Sequence, residues 1–217
     1  METTVLFEDE AIVAAIKPVG VLSEDVPGGE CLPALLRERT GLTAVFTVHR
    51  LDTAVGGVTV CAKTKAAAAR LSASIREGTF IKYYRCVVRG MPPTEEGTLE
   101  DLLFHDRRSN KTFVVKRARK GVKPAKLAFT LLSRAEDATG PLSLLEIRLY
   151  TGRTHQIRVQ LASRGTPLAG DRKYGARDGY GAPALFCTRL EFPHPLTGET
   201  VRLEAQPPQA GPWSFFD

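Results

Sequence analysis

FTVHRLDTAVGGVTVCAKT, residues 46–64, sets a histidine, an arginine and an aspartate within four positions and then runs into alternating apolar residues. Val58 and Val60 repeat with a period of two, which predicts a strand over GVTVCA, and AVFTV before the motif predicts another. Between them lies a turn carrying His49, Arg50 and Asp52. A stretch of this kind can be mistaken for a phosphate-cradling loop, because GVTVCAKT ends in Lys-Thr. Ala62 stands where the second glycine of such a loop belongs, and the alternating valines predict a strand in place of exposed backbone amides. A nucleotide-binding loop is therefore excluded.

Working outward, VLFEDEAIVAAIKPVGVLSE predicts two short strands around a turn at Glu8 to Glu10, broken at Pro18 and Gly20. CLPALLRERTG predicts a short helix ending at Gly41, and KAAAARLSASIREG predicts a longer one ending at Gly78. FIKYYRCVVRG, KLAFTLLSRA and LSLLEIRLY predict strands. PALFCTRLEFPHPLTGETVRLEAQPP predicts a hairpin with its turn at Pro195 to Glu199. Hairpins and helices are interspersed without regular βαβ winding, so the expected class is α+β on a mixed, mainly antiparallel sheet in two lobes. We expect residues 1–217 to form a single domain.

The chain has 217 residues, 43% of them hydrophobic, which suits a folded globular protein. No apolar run reaches the roughly 18 residues that span a bilayer, and the acidic start lacks the build of a secretory signal. The expectation is a cytoplasmic protein with no membrane partner. Cys31, Cys61, Cys86 and Cys187 form no paired spacing, and His49, His105, His155 and His194 are scattered, so neither a disulfide framework nor a metal site is expected. The net charge of +6 is unevenly spread: His105 to Lys126 holds nine Lys or Arg and one Asp, a net of +8, which leaves −2 for the remainder. Such a single-sign segment calls for a polyanion, and nucleic-acid phosphate is the natural one; the alternative is a solvated, mobile loop.

A second unusual stretch is LYTGRTHQIRVQLASRGTPLAGDRKYG, residues 149–175. If THQIRVQLASRG is helical, Gln156 and Gln160 share a face and Arg158 points elsewhere. Arg153 and Arg158 in an otherwise apolar element need partners, unless the element is a surface helix with snorkelling cations.

HRLD, TGRTHQIR and GTPLAGDRKYG, together with KYYRCVVRG and IKPVGV, resemble the RluA-type family of RNA pseudouridine synthases, from about Val5 to Pro207. The resemblance implies one catalytic domain on a mixed, mainly antiparallel sheet, with RNA in a cleft between two lobes. The catalytic pattern begins within ten residues of the start, so no N-terminal S4-type module is expected. By motif, Asp52 is implied to be the catalytic carboxylate, Tyr84 the active-site tyrosine, and Arg158 the partner of that aspartate. Arg50 is implied to enter the space left by a flipped base. Further RNA contacts are expected from His49, Arg153, His155 and Gln156, and from Arg117 and Lys120 in the basic segment. Two departures stand out: Val55, Gly56 and Gly57 where relatives commonly have Thr-Ser-Gly, and Phe186, Cys187 and Thr188 where Leu-His-Ala is frequent.

Converting uridine to pseudouridine breaks the bond from N1 to C1′, rotates the uracil and rejoins it through C5. A carboxylate near C1′ can trap or stabilise that centre, or remove the 2′ proton. No electrons are exchanged with a second reactant, so no cofactor is expected. The expected partner is a structured tRNA or rRNA acted on by a monomer. The rival reading is a catalytically silent RNA-binding or RNA-remodelling protein; a hydrolytic nucleosidase is a third.

Overall fold

The computed structural model describes residues 3–26 and 28–216. In chain order they form β1 (Thr4–Glu8), β2 (Ile12–Lys17), α1 (Leu32–Thr40), β3 (Phe46–Thr47), β4 (Gly56–Ala62), α2 (Lys65–Glu77), β5 (Ile81–Arg89), β6 (Glu96–Asp106), β7 (Lys111–Val115), β8 (Val122–Asp137), β9 (Gly140–Leu149), α3 (Gln156–Ala162), β10 (Leu185–Pro193) and β11 (Thr200–Glu204). The class is α+β. The chain folds as two compact units, residues 1–83 with 186–207 and residues 84–185 with 208–217; it passes between them within β5, at the start of β10 and again after Pro207.

In the first unit, β1 and β2 form a hairpin whose turn is held by Asp9, with Oδ1 accepting the amides of Ala11 and Ile12 at 2.8 Å each. β2 pairs antiparallel with β4, Ile12 opposite Ala62 through Lys17 opposite Gly57. Every residue of β4 is buried, which is why its sequence is apolar or small on both faces. β10 runs parallel to the start of β4 and antiparallel to β11. Gly57, at φ +127°, lies so close to Cys187 that any Cβ would collide with its backbone nitrogen and oxygen, so the parallel pair depends on glycine there.

Helix α1 starts with proline in its first turn, ends on Gly41 in the left-handed region, and buries Leu32 and Leu36, four residues apart, against Val13, Ala15, Val21 and Cys61. Each leucine so buried contributes about 1.5–3 kcal/mol. α2 is capped by Thr64, whose Oγ1 accepts from the Ala67 amide at 3.1 Å, and it ends on Gly78 as expected.

In the second unit the strand order is β5-β9-β8-β6-β7. Val87, Leu142, Leu144, Ala169, Ala184 and Phe216 form one core, and Leu103, Ala125 and Val159 of α3 form a smaller one. Two alternatives that the sequence leaves open are decided by the structure. The basic segment is no loose loop: β6 runs to Asp106, β7 covers Lys111–Val115 and β8 begins at Val122, so most of it is a paired hairpin. Charge density masked the alternation of Thr112 and Val114, whose strand character comes from cross-strand partners. Nor is α3 a surface helix. Gln156 through Leu161 are all buried, because the arginine and both glutamines find polar partners inside the protein.

Candidate active site

The HRLD segment forms no regular structure, yet it is fastened at several points within the first unit. The Leu51 amide donates to Ser23 Oγ at 3.0 Å, and Ser23 Oγ donates back to the Leu51 carbonyl at 2.8 Å. A turn closes behind Asp52, with the Val55 amide on the Asp52 carbonyl at 2.9 Å. The next carbonyl, Thr53, accepts from the Gly20 amide at 2.8 Å and from Lys17 Nζ at 3.4 Å. Lys17 is fully buried and also donates to the carbonyls of Pro18 at 2.9 Å and Val21 at 2.6 Å. Burial pushes its ammonium down to about 8, and the nearby Asp52 charge partly opposes that shift. Asp52 is thus the half-buried carboxylate of a backbone turn held by a buried lysine, a serine and a glycine amide.

His49 is buried in the same unit. Its Nε2 accepts the Val60 amide at 3.2 Å, and its ring lies 5.3 Å from that of Phe80. Burial, reinforced by the Lys82 charge, holds its pKa well below the usual value, so the ring is neutral and ties the loop to β4. Arg50 is exposed and its Nη1 meets Glu24 Oε2 at 2.9 Å. A surface pair of this kind contributes about 0–1 kcal/mol and is easily exchanged for another anion.

In the second unit, Tyr84 is buried on β5 and Arg158 is buried on α3. Arg158 Nε donates to Asp171 Oδ2 at 2.6 Å and Nη2 donates to Oδ1 at 2.8 Å, a forked pair between groups 7% and 1% exposed. The resemblance pairs Arg158 with Asp52; the fork described within its own unit goes to Asp171. The guanidinium carbon also lies 5.1 Å from the centre of the Tyr174 ring. Tyr174 fixes the entry to α3: its hydroxyl accepts the Thr112 amide at 2.8 Å and bonds His155 Nδ1 at 2.9 Å. His155 itself sits at φ 53°, a left-handed conformation that is costly for any residue but glycine and that persists here because Tyr174 holds the side chain.

Gln156 is a local staple. Its Oε1 accepts from Thr151 Oγ1 at 2.8 Å and the Arg153 amide at 3.0 Å, while Nε2 donates to the Lys126 carbonyl at 3.1 Å. Arg153 Nε donates to the Pro124 carbonyl at 2.9 Å. Arg117 and Lys120 are exposed in the connection between β7 and β8. Sequence reasoning did not single out Lys17, Ser23, Asp171 or Tyr174 as site residues. Lys17 lies in IKPVGV, and Asp171 and Tyr174 lie in GDRKYG, so three of the four were within reach; nothing in the sequence marks Ser23.

Comparison with solved structures bears on the fold alone. Human RNA pseudouridylate synthase domain containing 1 is similar with a TM-score of 0.81 at 23% identity, over 96% of this chain and 85% of that one. Human RNA pseudouridylate synthase domain containing 4 gives 0.76 at 22%, over 95% and 89%. The fold is therefore that of pseudouridylate synthase domains. The model of the RNA pseudouridylate synthase family matches residues 11–163. The RNA pseudouridine synthase YlyB of Bacillus subtilis is 33% identical over 96% of this chain and 70% of its own length, and ribosomal large subunit pseudouridine synthase C of Pasteurella multocida is 34% identical over 94% and 64%. Ribosomal large subunit pseudouridine synthase D of Neisseria meningitidis is 34% identical over 96% and 59%, so this chain spans less than two thirds of those two large-subunit enzymes. The chain belongs to the RNA pseudouridylate synthase family, isomerases that act on RNA. Among the described residues no helix is long and apolar enough to cross a membrane.

Proposed function

We propose that this protein converts specific uridines of large-subunit ribosomal RNA to pseudouridine, with Asp52 as the catalytic carboxylate and Tyr84 and Arg158 as further catalytic residues. The observation that carries the reading is the Asp52 turn, which Lys17, Ser23 and Gly20 hold through its backbone. A carboxylate fixed in place by its neighbours can meet a reacting carbon without reorganising, and positioning of this kind is what such an isomerisation requires of the protein. The substrate class rests on relatives bearing the names ribosomal large subunit pseudouridine synthase C and D.

The reaction balances within one nucleoside. The bond from N1 to C1′ breaks, the uracil turns, C5 bonds to C1′, the proton on C5 leaves and a proton is taken up at N1. Asp52 either bonds to C1′ and is released when C5 bonds there, or takes the proton from C2′ as the N1–C1′ bond breaks and returns it as the C5–C1′ bond forms. Tyr84 offers a ring face to the uracil and a hydroxyl for the C5 proton, and Arg158, held in place by Asp171, is the third catalytic residue of this reading. Arg50, paired at the surface with Glu24 among the described residues, can enter the stack when the base leaves it, which offsets an unstacking cost of a few kcal/mol. His49, His155 and Gln156 brace the loops that carry these groups, and Arg153, Arg117 and Lys120 meet phosphates. A ribosomal RNA substrate puts the working protein in the cytoplasm, and one flipped uridine needs one copy of the chain.

Tritium release from RNA labelled at uridine C5 tests this reading. Wild-type protein should release tritium from large-subunit RNA, and Asp52→Asn should bind that RNA while releasing none. Turnover by Asp52→Asn within tenfold of wild type would remove Asp52 from the chemistry. Conversion of tRNA with ribosomal RNA untouched would reassign the substrate.

A further inference from the structure

The sheet of the second unit has two faces, and α3 covers only one. Leu103 and Ala125 point toward α3, where they pack with Val159. On the opposite face the register sets Phe104 across from both Phe113 and Val122, and Arg148 across from Ala128, with Tyr150 just beyond the end of β9. Phe113 is 42% exposed and Tyr150 is 47% exposed. Each aromatic ring on this face carries a cation. Arg119 lies 4.8 Å from the Phe104 ring centre and Lys111 lies 5.8 Å from that of Phe113. Tyr150 has two, Arg148 at 4.9 Å and Lys126 at 5.7 Å.

The face carries carboxylates as well. Glu100 is neutralised by Lys126 at 2.8 Å, Asp106 is occupied by the Arg108 amide and Ser109, and Glu96 and Glu146 flank Thr130 away from Phe104, Phe113 and Tyr150. The same hairpin belongs to the segment of net charge +8. A self-repelling set of cations alternating with exposed rings matches a ligand that presents negative charge and flat π-faces at a regular spacing. Single-stranded nucleic acid is that ligand. A duplex shows its charge but hides its base faces.

Leu142 and Leu144 at the start of β9 lie on this face too but are covered by the core that includes Phe216, so the uncovered part is the end around Phe104, Phe113 and Tyr150. We propose that this uncovered part of the face binds an unpaired stretch of the substrate RNA, with bases stacked on Phe113 and Tyr150 and phosphates on the cations beside them. The proposal rests on the reading of the protein as an RNA-modifying enzyme. It adds a second contact, on the side of the sheet opposite the helix that carries Arg158. Phe113 lies on the outermost strand and Tyr150 at the end of β9, so the two hold a run of nucleotides and favour substrates with an unpaired segment outside the modified loop.

The test uses the full chain with a short unstructured RNA carrying 2-aminopurine, and with the same RNA annealed to its complement. Wild type should quench the single strand and not the duplex. Phe113→Ala and Tyr150→Ala should each weaken single-strand binding by roughly fivefold or more. Phe113→Tyr and Tyr150→Phe should retain binding, and the slope of log affinity against log salt should stay the same because every cation that meets phosphate is still present. Both positions are solvent-exposed, so melting temperatures should not move. Affinity within twofold of wild type in the double alanine variant would overturn the proposal, as would equal losses for duplex or for polyglutamate, which would mark a surface for an acidic protein. A wild-type protein that forms pseudouridine yet never quenches the single strand overturns the stacking face and leaves the activity standing. Quenching without any conversion supports the face and refutes the activity, and absence of both overturns both.

Discussion

Arg158 and Asp171 form a forked ion pair almost wholly removed from water, Nε to Oδ2 at 2.6 Å and Nη2 to Oδ1 at 2.8 Å. Two charges so placed sustain each other, because each alone would be an uncompensated ion in a low-dielectric interior. Arg158→Ala or Asp171→Ala should each cost about 3–5 kcal/mol of stability, while the double change should cost less than the sum. Urea unfolding of the four proteins checks this, and additive losses would show the pair to be energetically idle. Arg158→Lys should also fail to restore the fork and should lower pseudouridine turnover at least about tenfold with RNA affinity little changed.

Lys17 predicts a stability change on the alkaline side. Its ammonium is pushed from the usual 10.5 down to about 8 in the folded protein. Between about pH 8 and about pH 10.5 the unfolded chain therefore holds a proton that the folded one has released. Stability contributed by this group should rise through that window and level off above it. The difference in unfolding free energy between wild type and Lys17→Met, followed against pH, reads the effect; a flat difference would mean the lysine titrates normally. At neutral pH Lys17→Met should destabilise by about 1–3 kcal/mol, since the carbonyls of Pro18, Val21 and Thr53 lose their donor.

The cations of the β7 to β8 connection should act on RNA through phosphate. Replacing Lys116, Arg117, Arg119 and Lys120 with neutral residues should weaken all RNAs alike, and should flatten the slope of log affinity against log salt by roughly 0.7–0.9 for each phosphate no longer neutralised. Filter binding at several salt concentrations measures the slope, and an unchanged slope would leave these charges without a role in docking.

Gly57 and Gly78 both have positive φ but should respond differently to alanine. At Gly78, which ends α2, an added Cβ meets nothing within 4 Å, so the cost should be the left-handed strain of about 1–2 kcal/mol. At Gly57 the same methyl group would strike the Cys187 backbone, so strain adds to overpacking and the loss should reach at least about 3 kcal/mol. Equal melting shifts for the two variants would show that the β4 and β10 strands can move apart.

Much of this protein is written in local pattern. The helices α1 and α2 lie where leucine and alanine spacing and the closing glycines put them, because helix ends and buried stripes are set by residues within a few positions of one another. The hairpin of β10 and β11 is local for the same reason. Family membership was legible in HRLD and TGRTHQIR, long ordered motifs that carry their own identity. Partnership was not. Nothing near Arg158 in sequence marks Asp171, thirteen positions on, as its fork. Nothing near Leu51 announces Ser23, because a buried charge or hydroxyl is satisfied by whichever groups the fold brings within about 3 Å. The sequence alone determined most of the elements and the family, and it singled out Asp52 as the candidate carboxylate. Tertiary structure decided that the basic segment is a paired hairpin, that α3 is buried with its arginine neutralised, and that Lys17 holds the Asp52 turn. Strand pairing and buried polar satisfaction are long-range, and no short window of residues contains both partners.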